Sequence, residues 1–448
     1  MKNFKKYVYI KTFGCQMNVY DSILISEGLL EIGYELTENI ETADLILFNT
    51  CAVRGLAEHK ALSELGATKK LKTKKPDLQI GMLGCVAQNL GKKILKSYPF
   101  VDFVLGTKEM YKLPTYLNYK TDKARLEVSL DNKIVGYKTK KNLPNSVSVF
   151  VTIIRGCSNF CSYCIVPFVR GKEESRNIDE IFDEVKILVG NGVKEIVLLG
   201  QNVNIYGKDI NIKLESLLQK LNEIDGLYRI RYFTSHPKDV NEDFIKSIKS
   251  IPKICEHIHI PFQSGSNRIL KSMNRKYTRE EYIEKVNMIR DYIPNIAITT
   301  DIIVGYPTET EKDFVDTLEL LKVCKLDNIY SFKYSPRAGT LSYKNLEDDI
   351  SKEIKEKRLE ILNNLENEIS RQINNSLIGT SQEVLWENLK KTKTTLDIKN
   401  NFTIEGRTRT FKKVFANTSI QNAEKSIGKL EVVEIKKATA YSLTAERK

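Results

Sequence analysis

RGCSNFCSYCIVPFVRG, residues 155–171, sets Cys157, Cys161 and Cys164 in a C-x3-C-x2-C spacing. Three thiolates so close together can hold three corners of a cubane iron–sulfur cluster, which leaves the fourth iron open to a small molecule. A cluster that only transfers electrons takes four protein ligands. A structural zinc closes its tetrahedron with a fourth Cys or His, and Ser158, Asn159, Phe160, Ser162 and Tyr163 offer neither. The spacing therefore favours a cluster with one open iron over a zinc knuckle.

The stretch also opens a repeat. VFVTIIRGC is an apolar run that leads into the cysteines, and EIVLLGQ, RIRYFTS, HIHIPF, AITTDIIVGYP and NIYSFKYS recur after it, separated by helix-like segments. Six strands joined by right-handed helical crossovers predict an open (β/α)6 partial barrel, with its site at the carboxyl ends of the strands. The loops after those strands supply the candidate contacts Gly200, Gln201 and Asn202, Ser235 and His236, Gln263, Ser264 and Gly265, and Gly305. Loop structure alone explains any one of them, and a tight turn explains Gly305 equally well. Arg170 and Arg176 are candidates for meeting a carboxylate or phosphates, or for plain ion pairs.

Upstream, Cys15, Cys51 and Cys85 each end a short apolar run: YVYIKTFGC, ADLILFNTC and IGMLGC. Such runs, alternating with helical stretches, read as buried parallel strands, and α/β domains collect ligands at the carboxyl ends of their strands. Any one of these thiols alone reads as a small buried hydrophobe. Three in the same strand-end position predict one shared edge and a second three-thiolate cluster. Cys255 and Cys324 read as structural, and His59, His257 and His259 as non-ligands.

With GCQMN, NTCAVR and GCVAQ around the first three cysteines, C-x3-C-x2-C in the middle, and LLGQNVNIYG and PFQSGS downstream, the chain resembles the radical S-adenosylmethionine methylthiotransferases. The likeness runs from about Lys6 to the C-terminus. It implies that the iron left open by Cys157, Cys161 and Cys164 chelates S-adenosylmethionine, with Tyr163, just before the third cysteine, against the adenine. Gly200, Gln201, Ser235, Gln263 and Gly305 become candidate cofactor contacts. Two [4Fe-4S] clusters are implied in all. The cluster at Cys157, Cys161 and Cys164 would cleave S-adenosylmethionine to a 5′-deoxyadenosyl radical that takes the hydrogen from C2 of a tRNA adenosine. The one at Cys15, Cys51 and Cys85 would carry the sulfur. LLGQNVNIYG and the basic tail favour the branch that converts N6-isopentenyladenosine, 3′ of the anticodon, to its 2-methylthio form. Relatives acting on N6-threonylcarbamoyladenosine or on an aspartate of a ribosomal protein would show the same cysteines. A reading of another class is a non-catalytic, metal-stabilised RNA-binding protein.

At 448 residues the chain is too long for one ordinary core. We expect an N-terminal parallel α/β domain over 1–120, a polar connection over 121–147, the partial barrel with a trailing helix over 148–378, and a small C-terminal β-barrel over 379–448. Ile350, Ile354, Ile361, Leu365, Ile369 and Ile373 predict the apolar stripe of that helix. From Ser381 onward the chain holds 14 Lys and Arg against 8 Asp and Glu. Arg407, Arg409, Lys412 and Lys413 flank Phe411 and Phe415, a pattern that suits phosphates and stacked bases as well as it suits a solvated face over core aromatics. The family's C-terminal TRAM domain, an RNA-binding module, favours the first reading.

The net charge of +13 favours a polyanionic partner, although abundant lysine throughout limits its weight. No run reaches the length of a membrane span and no signal peptide opens the chain, so a cytoplasmic protein is expected, where clustered cysteines mean metal rather than disulfides. The expected partners are the tRNA anticodon loop, an electron donor of flavodoxin or ferredoxin type and an iron–sulfur carrier, with the protein a monomer.

Overall fold

The apolar runs of the N-terminal third are strands because each alternates with an amphipathic helix that covers it. A computed structural model describes residues 5–53, 55–117, 124–130, 146–391 and 402–447. Most of the connection expected over 121–147 lies outside the described residues, as do 392–401 in the C-terminal barrel. Two compact units form. The first holds the described residues up to Leu130 together with Ile154–Phe160 and Cys164–Glu174, and the second holds the remainder.

In the first unit, β1 (Lys6–Thr12), β2 (Tyr34–Leu36), β3 (Leu45–Thr50), β4 (Gln79–Gly84), β5 (Phe103–Leu105) and β6 (Arg125–Glu127) make one sheet in the order β2-β1-β3-β4-β5-β6. All its pairings are parallel. β3 and most of β4 are fully buried, as continuous apolar strands covered on both faces should be. Phe48, Ile80, Met82 and Val104 pack on one face, and Leu45, Leu47, Leu83 and Leu105 on the other.

The second unit begins at β7 (Ser148–Thr152); the ribbon strands β8 (Ile154–Arg155) and β9 (Glu174–Ser175) bracket the cysteine loop. β10 (Glu195–Leu199) and β11 (Arg229–Tyr232) join β7 in a parallel sheet ordered β11-β10-β7. β12 (His257–His259), β13 (Ala297–Val304) and β14 (Asn328–Lys333) form a second parallel sheet, and an isolated parallel bridge between Ile230 and Ile254 continues from β11 toward it. These are the six strands expected from the sequence, in two halves of three. β15 (Ser381–Lys391), β16 (Phe402–Thr408), β17 (Lys413–Thr418), β18 (Leu430–Ala438) and β19 (Leu443–Glu446) close into a barrel around the buried Trp386.

The long helix Lys352–Asn375 is present, but its buried face holds only part of the predicted stripe: Ile369 is buried and Leu365 and Ile373 are half-buried. Lys355, Arg358, Leu362, Glu366 and Ile369 face inward, while Ile354 and Ile361 are exposed. The inward polar groups have partners that explain the rotation. Arg358 pairs with the buried Glu309 at 2.7 Å, and Glu366 accepts from the Ile329 amide at 3.0 Å. Gly305 also belongs to this packing, since a Cβ there would lie 2.3 Å from Lys355 Cγ and its φ is +67°. Contact with the helix gives this glycine a packing reason beside its candidacy as a cofactor contact.

Among the described residues, no helix is long and apolar enough to cross a membrane.

Candidate active site

β1, β3 and β4 are neighbours in the parallel sheet, so the residues that follow them are neighbours too. Cys15 comes three residues after β1 at the start of the helix Gln16–Glu31, Cys51 directly after β3, and Cys85 directly after β4. Gly14 makes the approach possible: its φ is +120°, and a Cβ there would stand 2.1 Å from Cys51 Cβ and 3.0 Å from Cys51 Sγ. Asn18 ties the corner together, accepting from Cys15 Sγ at 3.2 Å and donating to the Thr50 carbonyl and to Asn49 Oδ1, each at 3.0 Å. Cys51 and Cys85 are buried and Cys15 is partly so.

The three thiols act on one another's protonation. A hydrogen bond with Cys51 lowers the Cys15 thiol to about 6, and the same bond, with burial, raises Cys51. Burial raises Cys85, offset in part by the Arg170 guanidinium. Arg170 is a residue the sequence left undecided. It lies in the helix Val166–Arg170, shortly after Cys164, and its Nη2 holds Asp21 at 3.0 Å. Asp21 is fully buried and also takes Arg155 at 2.8 Å and the Tyr111 hydroxyl at 2.6 Å. Burial works against its charge, but the two guanidiniums win and hold the carboxyl below its usual range.

The loop carrying Cys157, Cys161 and Cys164 is fastened from several sides. Cys157 donates its amide to the Gly171 carbonyl at 3.0 Å. Ser162, between the second and third cysteines, receives the Ser342 amide at its carbonyl (2.7 Å), gives its own amide to Met273 O (3.0 Å) and its hydroxyl to Ser272 O (2.7 Å), and meets the Tyr306 hydroxyl at 2.9 Å. Tyr163 packs on Ile269, Met273, Tyr306 and Tyr334.

Sequence reading missed Arg275, in NRKYT. Its Nη1 donates to Cys161 Sγ at 3.3 Å, while its other nitrogens are held by Tyr277 Oη at 2.9 Å and the Pro261 carbonyl at 2.7 Å. A buried cation on a thiol is a charge-assisted donor to sulfur, the kind of contact that tunes a cluster.

The proposed cofactor contacts lie at the carboxyl ends of the barrel strands. Gly200 and Gln201 follow β10, Ser235 follows β11, and Gln263 lies in the loop after β12. Ser235 Oγ is buried with no hydrogen-bond partner among the described residues. Gln263 is held at φ +69° between the Asp301 carbonyl and the Ile303 amide, strain of the sort that collects at binding sites. Asn202 and His236 instead satisfy each other and the neighbouring loop, Asn202 accepting from the His236 amide at 3.2 Å and donating to Asp239 at 2.6 Å.

Other candidates resolve as packing. Arg176 pairs with buried Glu184 at 2.7 Å. Cys255 and Cys324 are buried, and burial pushes both thiols up to about 11. His257 and His259 line the barrel interior around Thr299 Oγ1, at 3.2 Å and 3.0 Å. Among the described residues no three His, Cys, Asp or Glu side chains converge in the manner of a single-ion site.

The C-terminal cations have partners inside the chain. Arg407 pairs with Glu387 and lies over Phe411, and Lys413 pairs with Glu405. Arg409 grips Glu256 of the partial barrel at 2.6 Å, and Lys412 holds Asp327 at 2.8 Å. In return, Arg229 and Arg231 of β11 donate to the carbonyls of Arg407, Thr408 and Arg409, while Phe411 packs against Phe233 and His257. The hairpin between β16 and β17 is thus a latch between the two barrels. The cations that the sequence presented as free for phosphate are engaged, Arg407 and Lys413 by carboxylates of the same small barrel and Arg409 and Lys412 by carboxylates far away along the chain. Lys412→Gln is expected to lower stability by about 3 kcal/mol, since it leaves the half-buried Asp327 carboxylate without its cation. An unmoved guanidinium unfolding midpoint would show that water already screens that pair.

Comparison with known proteins places this geometry. Residues 151–321 match the model of the radical SAM superfamily, and residues 7–106 that of uncharacterized protein family UPF0004. A tRNA-2-methylthio-N(6)-dimethylallyladenosine synthase of Caldicellulosiruptor saccharolyticus is 45% identical over 99% of this chain and 93% of its own. One of the same name from Clostridium botulinum is 46% identical over 98% of this chain and 96% of its own. Among solved structures, the radical S-adenosylmethionine methyltransferase TsrM of Kitasatospora setae, with cobalamin and a [4Fe-4S] cluster bound, superposes with a TM-score of 0.56 over 76% of this chain and 77% of its own, at 13% identity, and so shares the fold. Full-length identity at this level, with both sets of cysteines placed as described, means that the chain belongs to the radical S-adenosylmethionine family of tRNA-2-methylthio-N(6)-dimethylallyladenosine synthases.

Proposed function

We propose that the protein adds a methylthio group to C2 of N6-isopentenyladenosine, next to the anticodon of tRNA. The observation that carries this reading is the pair of three-thiol sites in one chain, each short of the fourth ligand a closed cluster takes.

The donor sets fit [4Fe-4S] clusters. Cys157, Cys161 and Cys164 would hold the one that radical S-adenosylmethionine chemistry implies, and Cys15, Cys51 and Cys85, gathered in a pocket that already holds a buried cation, would hold a second. When bound, the first supplies the electron for reductive cleavage of S-adenosylmethionine, and the second a place for sulfur. The chain's own residues do the positioning. Arg275 keeps Cys161 in place, Ser162 pins the loop, and Tyr163 offers a flat apolar face. Ser235, Gln263, Gly200 and Gln201 surround the strand ends where S-adenosylmethionine would lie. Gly305 is a further candidate cofactor contact, its lack of a side chain also serving the approach of Lys355.

We further read the chain as three domains with the boundaries given above, acting in the cytoplasm where its tRNA is found, as a monomer supplied by an iron–sulfur carrier and reduced by a flavodoxin or ferredoxin. Arg407, Arg409, Lys412 and Lys413 remain at most secondary contacts for tRNA, because their charge is paired. Lys425, Lys429 and Lys437 are exposed on the same barrel and are better placed to meet phosphates.

Mass spectrometry of tRNA nucleosides from a strain lacking this protein tests the assignment. The 2-methylthio-N6-isopentenyl nucleoside should vanish and its unthiolated precursor accumulate. Loss of the methylthio form of threonylcarbamoyladenosine instead would move the protein to the neighbouring branch. Unaltered nucleosides, together with colourless protein holding zinc, would establish the non-catalytic reading.

A further inference from the structure

Residues 272–277 clasp the middle of the central cysteine loop from the end of a helix. The helix Asn267–Ser272 stops at Asn274, whose φ of +57° is the left-handed turn that asparagine tolerates. Asn274 donates its amide to the Lys271 carbonyl at 3.0 Å, and Arg275 donates its own to the Leu270 carbonyl at 2.8 Å. The turn leaves the Ser272 and Met273 carbonyls free to take Ser162 and brings the Arg275 side chain to Cys161, one residue earlier.

Arg275 is 8% exposed, and every nitrogen of its guanidinium is used. Nη1 donates to Cys161 Sγ at 3.3 Å, Nη2 to the Pro261 carbonyl at 2.7 Å and Nε to Tyr277 Oη at 2.9 Å. The Tyr277 hydroxyl gives its proton to the Phe262 carbonyl at 2.9 Å, and burial pushes that phenol up to about 12, so it stays neutral. Among the described residues none of these contacts is to a carboxylate. Cys161 is thus the one partner of this buried cation able to bear a negative charge, and a guanidinium kept from water is costly without one.

We propose that Arg275 is the counter-ion of the centre at Cys157, Cys161 and Cys164 and sets its reduction potential through Cys161. The proposal rests on the reading of these cysteines as a cluster site and goes beyond it by naming the group that favours the reduced form. Reduction by one electron, from a flavodoxin or ferredoxin or from dithionite in the test, adds negative charge to the centre and neither makes nor breaks a bond. A charged donor on a ligand sulfur stabilises that added charge, so Arg275 raises the potential and its loss lowers it.

The test uses the full chain with Cys15, Cys51 and Cys85 changed to Ala, so that only the central cysteines carry iron, and no S-adenosylmethionine is added. The midpoint potential is read by electron paramagnetic resonance over a series of applied potentials. Arg275→Met should reduce the equilibrium constant for reduction at least about tenfold, a shift of 59 mV to more negative potential for one electron. Arg275→Lys, which keeps the charge, should stay within about threefold of the parent. Lys276→Met removes the same charge from the exposed neighbouring position and should stay within about twofold. Arg275→Gln keeps a donor without the charge; it should move the potential in the same direction and serves if the Met variant holds no iron. One readout needs no variant: with arginine labelled by a heavy nitrogen isotope, pulsed resonance of the reduced parent should show coupling to a guanidinium nitrogen.

A parent-like potential in iron-loaded Arg275→Met, an equal shift in Lys276→Met, or no guanidinium coupling in the parent would overturn the role of Arg275 while leaving the cluster reading intact. That reading is checked apart from it. If the parent of this series holds about four irons that further Ala at Cys157, Cys161 and Cys164 removes, the site is a cluster site. If it holds none, the reading falls and the proposal with it.

Discussion

Ala at Cys157, Cys161 and Cys164 together is expected to reduce 5′-deoxyadenosine formation from S-adenosylmethionine to background while leaving about four of about eight irons in place. The three thiols are the only protein groups in the loop able to hold iron, since Ser158, Asn159, Phe160, Ser162 and Tyr163 provide no comparable ligand. The fold should survive the change. Ser162 keeps its four hydrogen bonds, and Arg275 keeps Tyr277 and Pro261 while losing one acceptor, a cost of about 1–3 kcal/mol. Persistent cleavage by anaerobically reconstituted variant would place the radical chemistry elsewhere in the chain.

The opposite separation is expected at the other site. With Cys15, Cys51 and Cys85 changed to Ala, dithionite-reduced protein should still form 5′-deoxyadenosine, yet the methylthio nucleoside should fall below detection in tRNA. Cys51 and Cys85 are small buried groups at strand ends, so truncation costs about 1 kcal/mol each and spares the sheet, whose pairings end before them. Asp21 still anchors Arg155 and Arg170, which keeps the ion cluster whole. Formation of the methylthio nucleoside by this variant, followed by mass spectrometry, would show that sulfur is not delivered through these cysteines. Run side by side, the two variants assign one half of the chemistry to each trio, and a single shared cluster could not produce that pattern.

Three features of the structure bear on how such an enzyme is held together. Each cysteine trio has a buried arginine beside it, Arg170 at the first and Arg275 at the second, and each arginine is itself fixed by an oxygen partner. The latch between the partial barrel and the C-terminal barrel is built from cations of both, with Arg229 and Arg231 reaching one way and Arg409 and Lys412 the other. The helix Lys352–Asn375 seals the turn at Gly305 through Lys355 and Arg358.

The placement of the six cysteines was legible in the sequence because it is local. A three-residue and a two-residue spacing are set by covalent geometry, and a thiol that ends a continuous apolar run is placed at a strand end by the period of the strand itself. The same holds for the parallel sheet, the six barrel strands and the closed C-terminal barrel, where runs such as ADLILFNTC and AITTDIIVGYP announce burial on both faces. What the sequence could not decide was which charges meet. Asp21 pairs with residues more than 130 positions away and Arg409 with Glu256, and a Coulomb pair leaves no period to read along the chain. The isoleucine stripe held only in part for a related reason: helical periodicity marks a face but not its partner, and here Glu309 and the Ile329 amide hold Arg358 and Glu366 inward beside Ile369 while Ile354 and Ile361 stay exposed. Tertiary structure alone turned four tail cations from open phosphate ligands into ion pairs, and one ambiguous arginine into the neighbour of three thiols, because burial makes an unpaired charge costly and only the folded chain brings its partner near.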